Sequence, residues 1–379
     1  MSRGVFTYRN GRIFDGSSLL DGKAARFENG ILAALGPEDT IEDGGEVVDL
    51  AGDILSPGYV DLQVNGGGGV MFNDAPTIET LRRIAAAHRR LGVGAFLPTL
   101  ITADRQTTRA AIAAAIDAVA ARVDGIAGLH LEGPHLSIAR KGAHDPALIR
   151  PMERDDLDAL LAAAAALPLL KVTVAPETVT EEQVETLAEA GVLVSLGHSD
   201  ADYDTCRRYF AAGARCVTHL FNAMSQLGNR EPGLVGATLA TGAVSAGLIA
   251  DAVHVHPATM RAAWAAKNGP GRLFLVSDAM AVAGTDRNGF ELDGRRIERR
   301  HGRLTLADGT LAGADLDLTT AIRVLIDAVG VSTEAALRAA TQAPAALLGP
   351  AKVGYGLKRP DRWGLIRISA DLRSTSVLA

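Results

Sequence analysis

Hydrophobic and polar positions follow two different periods along this chain. Up to about residue 56, apolar residues recur at every second position in short runs, VFTYRNGRIFDG, KAARFENGILAALG and GEVVDLAGDILSPG, separated by turn residues. Asn10-Gly11 and Asn29-Gly30 sit inside these runs and predict two β-hairpins, because Asn and Gly accept the positive φ of tight hairpin turns. After Pro57-Gly58 the pattern changes. Apolar strand-like runs at 59–65, 94–99, 125–132, 169–176, 192–199, 215–221, 245–251 and 272–279 alternate with Ala-rich amphipathic stretches at 80–91, 105–122, 155–167, 181–190, 202–212 and 258–267. Apolar strands between helices are what a parallel sheet covered by helices requires. Eight alternations fit a (β/α)8 barrel better than an open doubly wound sheet, and no G-x-G-x-x-G motif opens the first unit. A hairpin-rich insertion follows at 284–310, then helices around 318–329 and 333–348, after which the chain reads as β again. The expected α/β architecture is a TIM-like barrel over 57–348 with a small β-sandwich domain formed by both chain ends, 1–56 and 349–379.

One uncharged run, 233–250 (GLVGATLATGAVSAGLIA), approaches the length of a membrane span. Four glycines and three hydroxyl residues interrupt it, and Arg230, Glu231 and Asp251 flank it, so it reads as a buried strand with a Gly-rich approach. Composition adds little beyond exclusions. Hydrophobic residues make up 47% and charged residues 22%, which rules out a disordered chain. Thirty-eight Lys and Arg against 44 Asp and Glu leave a net charge of −6, with no global attraction for nucleic acid or anionic lipid. Two cysteines, Cys206 and Cys216, cannot form a disulfide scaffold and read as buried packing thiols; the start MSRGVFTYRNGRIF has no apolar signal region. The expectation is a cytoplasmic protein with neither nucleic acid nor membrane as partner.

In such a barrel the chemistry collects at the C-terminal ends of the strands. There the sequence places His130 and Glu132, then His198, His219, Asp251 with His254, and Asp278. Glu132, His198 and His219 offer two imidazoles and one carboxylate, a set suited to a catalytic divalent metal with a position left open for water. Asp278 would then take the proton of the activated water and return it to a leaving group, and His254 would hydrogen-bond a carbonyl oxygen as it becomes an oxyanion. The plainer reading, in which Glu132 and Asp278 are each buried in a structural salt bridge, requires a partner for each.

The strings SPGYVDLQVNGGGGVMFND, LPTLIT, GLHLEGPHLS, KGAHDPA, VAPE, LGHS, THLFNAM, REPGLVGA, VSDAM and GTLAGADL stand in order over nearly the whole chain. Together they resemble the N-acetylglucosamine-6-phosphate deacetylase family of the amidohydrolase superfamily. The resemblance implies hydrolysis of the acetamide of an N-acetyl amino-sugar phosphate, with Glu132, His198 and His219 as ligands of one divalent ion; zinc suits that ligand set first, and Fe²⁺ or another first-row ion fits almost as well. It makes Asp278 the general acid/base and His254 a substrate contact that polarises the carbonyl. Ala143 and His144 would contact the sugar, Asn222 and Ala223 the sugar phosphate, and Leu311, Ala312 and Gly313 would line the sugar pocket. Arg230 would reach the phosphate of the neighbouring subunit's substrate in a homodimer, where a guanidinium clamps phosphate bidentately.

Two departures matter. Many amidohydrolases carry His-x-His at the end of the first strand for a second metal; here the position reads Gln63-Val64-Asn65, and neutral amides are poor ligands beside imidazole, so one metal is expected. The C-terminal segment also ends where a further strand is usual, and 358–364 lacks the usual glycine-rich acidic turn, which points to a short final strand. The glycines at 66–69 offer backbone N–H groups that could approach a ligand, though such a run is more often a turn. His135 and His256 read as structural. Other functions compete: an N-acetylgalactosamine-6-phosphate deacetylase or another cyclic-amide hydrolase with the same residues, a silent sugar-phosphate-binding protein, or an aldolase-type barrel. The silent protein would be expected to lack a ligand or the base. The aldolase needs a lysine at a strand end, and Lys171 lies early in its strand.

Overall fold

The computed structural model describes residues 4–292, 294–349, 355–358 and 363–378. Eight parallel strands form one sheet in chain order: β1 (Tyr59–Val64), β2 (Val93–Ile101), β3 (Leu129–Glu132), β4 (Leu170–Val174), β5 (Leu193–Leu196), β6 (Cys216–Val217), β7 (Ser245–Leu248) and β8 (Leu273–Leu275). The first and last strands close on each other: Val64 bridges Ala279, Asn65 N donates to Ala279 O at 2.9 Å, and Asp278 N donates to Gln63 O at 3.1 Å. The result is the expected (β/α)8 barrel.

Helices α1 (Ile78–Arg90), α2 (Arg105–Ala120), α3 (Arg154–Ala166), α4 (Glu181–Glu189), α5 (Tyr203–Ala211), α6 (Gly233–Ala240), α7 (Pro257–Ala266) and α8 (Leu318–Val324) surround it. Their starts are set by side chains that accept the first free N–H groups, such as Asp104 from Thr107 N, Thr180 from Gln183 N and Asp202 from Thr205 N. Helix α6 corrects the reading of 233–250, since its first half is helical rather than an approach to a strand. Six of its eight residues are buried, so it has no polar face to betray a helical period. Ser225 Oγ accepts from Leu234 N at 2.7 Å and starts it. The expected strand at 215–221 is also shorter, because the chain leaves the ladder after Val217.

The barrel interior is polar under its mouth. His130 bridges Thr99 Oγ1 (3.1 Å) and Thr173 Oγ1 (2.7 Å), Thr173 reaches Thr218, and Thr218 reaches Ser195, both at 2.7 Å. Lys171 is fully buried here with Nζ donating to Leu62 O at 3.4 Å, away from the strand ends. Cys206 and Cys216 are buried as free thiols.

Both chain ends build a second body of two sheets. One orders Ile31–Pro37, Lys23–Glu28, Val5–Arg9 and Glu46–Asp49; the other orders Thr375–Leu378, Leu365–Ile368, Ile54–Pro57, Arg12–Phe14 and Leu19–Leu20. Tyr8, Ile13, Phe27, Leu50, Leu55 and Leu365 form a core between them. Asn29-Gly30 is the expected two-residue hairpin turn, with Glu28 opposite Ile31 and φ of 50° and 79°. Asn10-Gly11 is not a hairpin. The strands on either side of it run parallel to Glu46–Asp49 and Ile54–Pro57 respectively, and these partners draw them into different sheets. Gly11 is required by that crossing, since a Cβ there would meet Asp53 O at 2.5 Å. At the C-terminus Leu365–Ile368 and Thr375–Leu378 pair antiparallel, and the former pairs with Ile54–Pro57, so the last described strand takes a full place in the sheet. Of the segment 358–364 read as lacking its turn pattern, 359–362 lie outside the described residues.

The insertion after β8 is a four-stranded antiparallel sheet, Gly289–Leu292, Arg295–Arg300, Arg303–Thr305 and Leu311–Ala314. Its last strand leads back to the barrel mouth, where Ala314 N donates to Asp278 O at 3.0 Å. Among the described residues no helix is long and apolar enough to cross a membrane.

Candidate active site

Alternation along β3 turns His130 and Glu132 into the barrel and Leu131 outward. Glu132 ends the strand, and from there it faces two histidines presented by loops. His198 follows β5 by two residues and His219 follows β6 by two, both in left-handed backbone, with φ of 47° and 29°. This conformation breaks the extended run and swings each ring over the barrel axis. Glu132 Oε1 lies 3.2 Å from His198 Nε2 and 3.0 Å from His219 Nε2, and the two nitrogens are 3.1 Å apart. All three side chains are buried.

These residues fit a divalent cation. His198 Nδ1 donates to Arg140 O at 2.8 Å, which fixes the ring with Nε2 turned toward Glu132, the nitrogen that would bind a metal. His219 also turns its Nε2 toward Glu132, while its Nδ1 is buried with no hydrogen-bond partner. Burial works against a charge on Glu132, yet hydrogen bonds from the two histidines hold its carboxyl well below the usual carboxylate range.

Asp278 stands beside this cluster, again in left-handed backbone at φ 49°. Its Oδ1 accepts from Asn65 Nδ2 at 2.7 Å and from Gln63 Nε2 at 3.0 Å, and Gln63 Nε2 also donates to Glu132 Oε2 at 3.1 Å. Burial and then the neighbouring Glu132 charge raise the Asp278 pKa, with His219 and Asn65 pulling the other way. A carboxyl raised in this manner and open to a cavity is suited to take and return a proton. Gln63 and Asn65, first noted only as absent ligands, thus tie the base to the cluster. Their amide oxygens are buried without hydrogen bonds.

His254 is oriented by Asp251, whose Oδ2 lies 2.6 Å from Nδ1 while Oδ1 accepts from Val253 N and His254 N, both at 2.8 Å. With Nδ1 held this way, His254 lines the cavity. His144 has Nδ1 2.7 Å from Thr102 Oγ1, and its ring stands edge-on to His198 at 4.5 Å. Burial, then the His198 charge, pushes its pKa down to about 3, so the ring is neutral.

A cavity of about 260 Å³ opens over these groups. Glu132, Ala143, His144, His198, His219, Asn222, Ala223, His254, Asp278, Leu311 and Gly313, all singled out in the sequence, line it. Two others do not. Ala312 points the opposite way from its neighbours and is buried with Met71, Ile101 and Met280. Arg230 is exposed on the loop after β6, outside its own chain's cavity. The glycines at 66–69 are occupied as well: the N–H groups of Gly66, Gly68 and Gly69 donate to the carbonyls of Ala279, Ala283 and Ala281. His135 bonds Arg150 O and His256 caps α7, both as structural residues. Sequence reasoning did not name Ile101, Ile249, Met280, Leu292 and Thr310, which complete the cavity wall. Ile101, Met280 and Thr310 stand inside the strings LPTLIT, VSDAM and GTLAGADL, but no role is read for them there.

The model of the amidohydrolase family matches residues 54–355. The chain is 42% identical over 305 residues to an N-acetylgalactosamine-6-phosphate deacetylase of Shewanella sp. (strain ANA-3), covering 80% of this chain and 77% of that one. It is 35% identical over 322 residues to an N-acetylglucosamine-6-phosphate deacetylase of Haemophilus influenzae, covering 84% and 83%. The crystal structure of N-acetylglucosamine-6-phosphate deacetylase from Pasteurella multocida superposes with a TM-score of 0.90 at 30% identity, over 99% of this chain and 97% of that one.

Proposed function

The chain belongs to the amidohydrolase family, and from that premise we propose that it hydrolyses the acetamide of N-acetyl-D-glucosamine 6-phosphate to D-glucosamine 6-phosphate and acetate. The observation that carries this reading is the convergence of Glu132, His198 and His219 within 4.8 Å of one another, tied through Gln63 to Asp278, in a chain whose relatives bear deacetylase names.

Glu132, His198 and His219 hold one divalent ion, zinc in first place and Fe²⁺ in second. When bound, the ion supplies Lewis acidity toward a carbonyl and lowers the pKa of a water. Asp278 accepts the proton of the attacking water and delivers it to the nitrogen as the C–N bond breaks, so that the amine leaves neutral. Gln63 and Asn65 hold one Asp278 oxygen and leave the carboxyl pointed in a single direction. His254, steadied by Asp251, hydrogen-bonds the carbonyl oxygen as charge develops on it. Ala143, His144, Leu311 and Gly313 frame the sugar, while Asn222 and Ala223 meet the phosphate. Arg230, with no role in its own cavity, serves the partner subunit's substrate in a homodimer; exposed Leu227 on the same loop supports a covered surface there. Two buried thiols and no disulfide accord with a cytoplasmic enzyme.

The second reading exchanges the substrate for its galactosamine epimer, favoured by the name of the 42%-identical relative. Acetate release from both sugar phosphates, after chelation and again after adding Zn²⁺ or Fe²⁺, tests both. Metal-dependent release is expected, and the ratio of kcat/KM for the two epimers assigns the substrate. No release with either ion from a folded, metal-containing protein overturns the deacetylase reading.

A further inference from the structure

We propose that Thr102 sets the tautomer of His144, so that this ring presents its Nε2–H into the cavity as a fixed donor. Thr102 follows directly on β2 and is 4% exposed. Two of its groups converge on His144 Nδ1: the hydroxyl at 2.7 Å and the backbone N–H at 3.4 Å. A backbone N–H can only donate, so Nδ1 must accept; the hydroxyl then donates to the same nitrogen, and the ring's single proton resides on Nε2. The other acceptor within reach of the hydroxyl, Glu132 O, is 3.4 Å away.

The surroundings hold both partners in place. Gly133, directly after Glu132, has φ of 91°, and a Cβ there would come within 2.2 Å of Thr102 Oγ1. Glycine at this position therefore makes room for the hydroxyl as well as for the turn. On the other side, His144 N donates to Lys141 O at 3.1 Å and Arg295 Nη2 donates to Ala143 O at 2.8 Å, which fixes the loop that carries the ring. Thr102 does not itself line the cavity and acts through His144, as a positioning residue. A ring free to exchange tautomers would offer a lone pair in place of a donor for part of the time, and an acceptor cannot serve a carbonyl or phosphate oxygen of the substrate.

The tautomer is independent of the deacetylase reading, while the identity of the oxygen that receives the Nε2–H rests on it. The experiment is ¹⁵N NMR of the zinc-loaded full chain labelled at histidine, with His144 assigned by its loss in His144→Gln, alongside acetate-release kinetics. The wild type is expected to show an unprotonated Nδ1 and a protonated Nε2, and Thr102→Ser to keep both the pattern and the turnover. Thr102→Val should mix the tautomers and lose about 10²-fold in turnover, mostly in kcat, the scale of a misplaced catalytic contact. A protonated Nδ1 in the wild type overturns the proposal, as does a Thr102→Val protein unchanged in pattern and rate, or a Thr102→Ser protein impaired to the same degree as Thr102→Val. Should Thr102→Val not fold, the wild-type pattern and the serine variant decide. The expected pattern in a protein that releases no acetate from any N-acetylated sugar phosphate would sink the deacetylase reading and leave the tautomer assignment standing.

Discussion

The small β body and the barrel mouth both contain non-glycine residues in left-handed backbone, and they use it differently. In the β body these are Asn10, Asn29, Ala51 and Leu372, at φ of 56°, 50°, 50° and 56°, all in turns between strands. Asparagine enters this region at little cost, and there it turns the chain. At the mouth they include His198, His219 and Asp278, together with Phe221, Ala223 and Ala252. His and Asp enter this region more readily than most side chains, whereas Phe221, Ala223 and Ala252 have no polar side chain whose local hydrogen bond could offset its cost, roughly 1–2 kcal/mol per residue relative to ordinary backbone. The mouth residues stand where side chains must leave closed parallel strands and turn back over the axis. In the β body the left-handed turn is the purpose; at the mouth it is the means of aiming a ligand or a base.

The largest expected effects test that distinction at the mouth. His198→Ala should lose the metal and all measurable turnover together, read as metal content by mass spectrometry and as acetate release. Asp278→Asn should bind metal normally and lose on the order of 10³-fold in kcat, the usual scale for removing a general acid/base. Near-normal turnover in Asp278→Asn would show that the base is another group. Arg230→Ala comes next. It should reduce kcat/KM for the phosphorylated sugar by about 10- to 100-fold, equivalent to the ~1.5–3 kcal/mol of a charge-assisted hydrogen bond. An equal loss on the unphosphorylated sugar would remove Arg230 from phosphate recognition.

The same contrast explains how much was legible in the sequence. The eight barrel strands and six flanking helices appear close to their expected places because they obey a period, and the strand-end residues Glu132, His198, His219, His254 and Asp278 could be named because the barrel puts chemistry at that end. Asn29-Gly30 was readable because the residue types and the backbone agree. Asn10-Gly11 is no hairpin although its residues are equally suited to a turn: partner strands about forty residues away decide which sheet each arm joins. Helix α6, buried on nearly all sides, shows no period at all. The roles of Gln63, Asn65 and Thr102 lay in contacts between strand ends, which no local pattern records.

The barrel's outer surface supplies an intermediate case, where charge rather than backbone strain is at stake. Asp156, in the first turn of α3, accepts from Arg105 Nε at 3.1 Å and from Arg150 Nη1 and Nη2 at 2.8 and 2.9 Å. Burial opposes its charge, but Arg105, the Glu153 N–H and Arg150 lower its pKa to about 2. A depressed carboxyl contributes stability above its unfolded pKa near 4, and that contribution is lost as pH falls toward 2. Asp156→Asn should therefore cost about 1–2 kcal/mol at pH 7, after allowing for screening at the partly exposed guanidiniums. The difference from wild type should shrink between pH 4 and pH 2 in denaturation curves. A difference that stays constant with pH would assign the loss to packing instead of charge.

The smallest effect is expected at Asn29, and it bears most directly on what left-handed backbone is for. The Glu28–Ile31 turn has positive φ at both central residues, and Asn29 N donates to Gly4 O at 2.8 Å, a bond any non-proline residue there can make. Asn29→Ala keeps that bond and adds only the left-handed penalty of a Cβ residue, about 1 kcal/mol. Asn29→Gly relieves the penalty while loosening the unfolded chain, so it should stay within about 0.5 kcal/mol of wild type. Neither should change kcat or KM, since the turn lies in the β body and touches no cavity residue. Urea denaturation beside acetate release reads both quantities. If Asn29→Ala lowered turnover without lowering stability, left-handed backbone in the β body would be serving the site after all, and the division between turning the chain and aiming a side chain would fail.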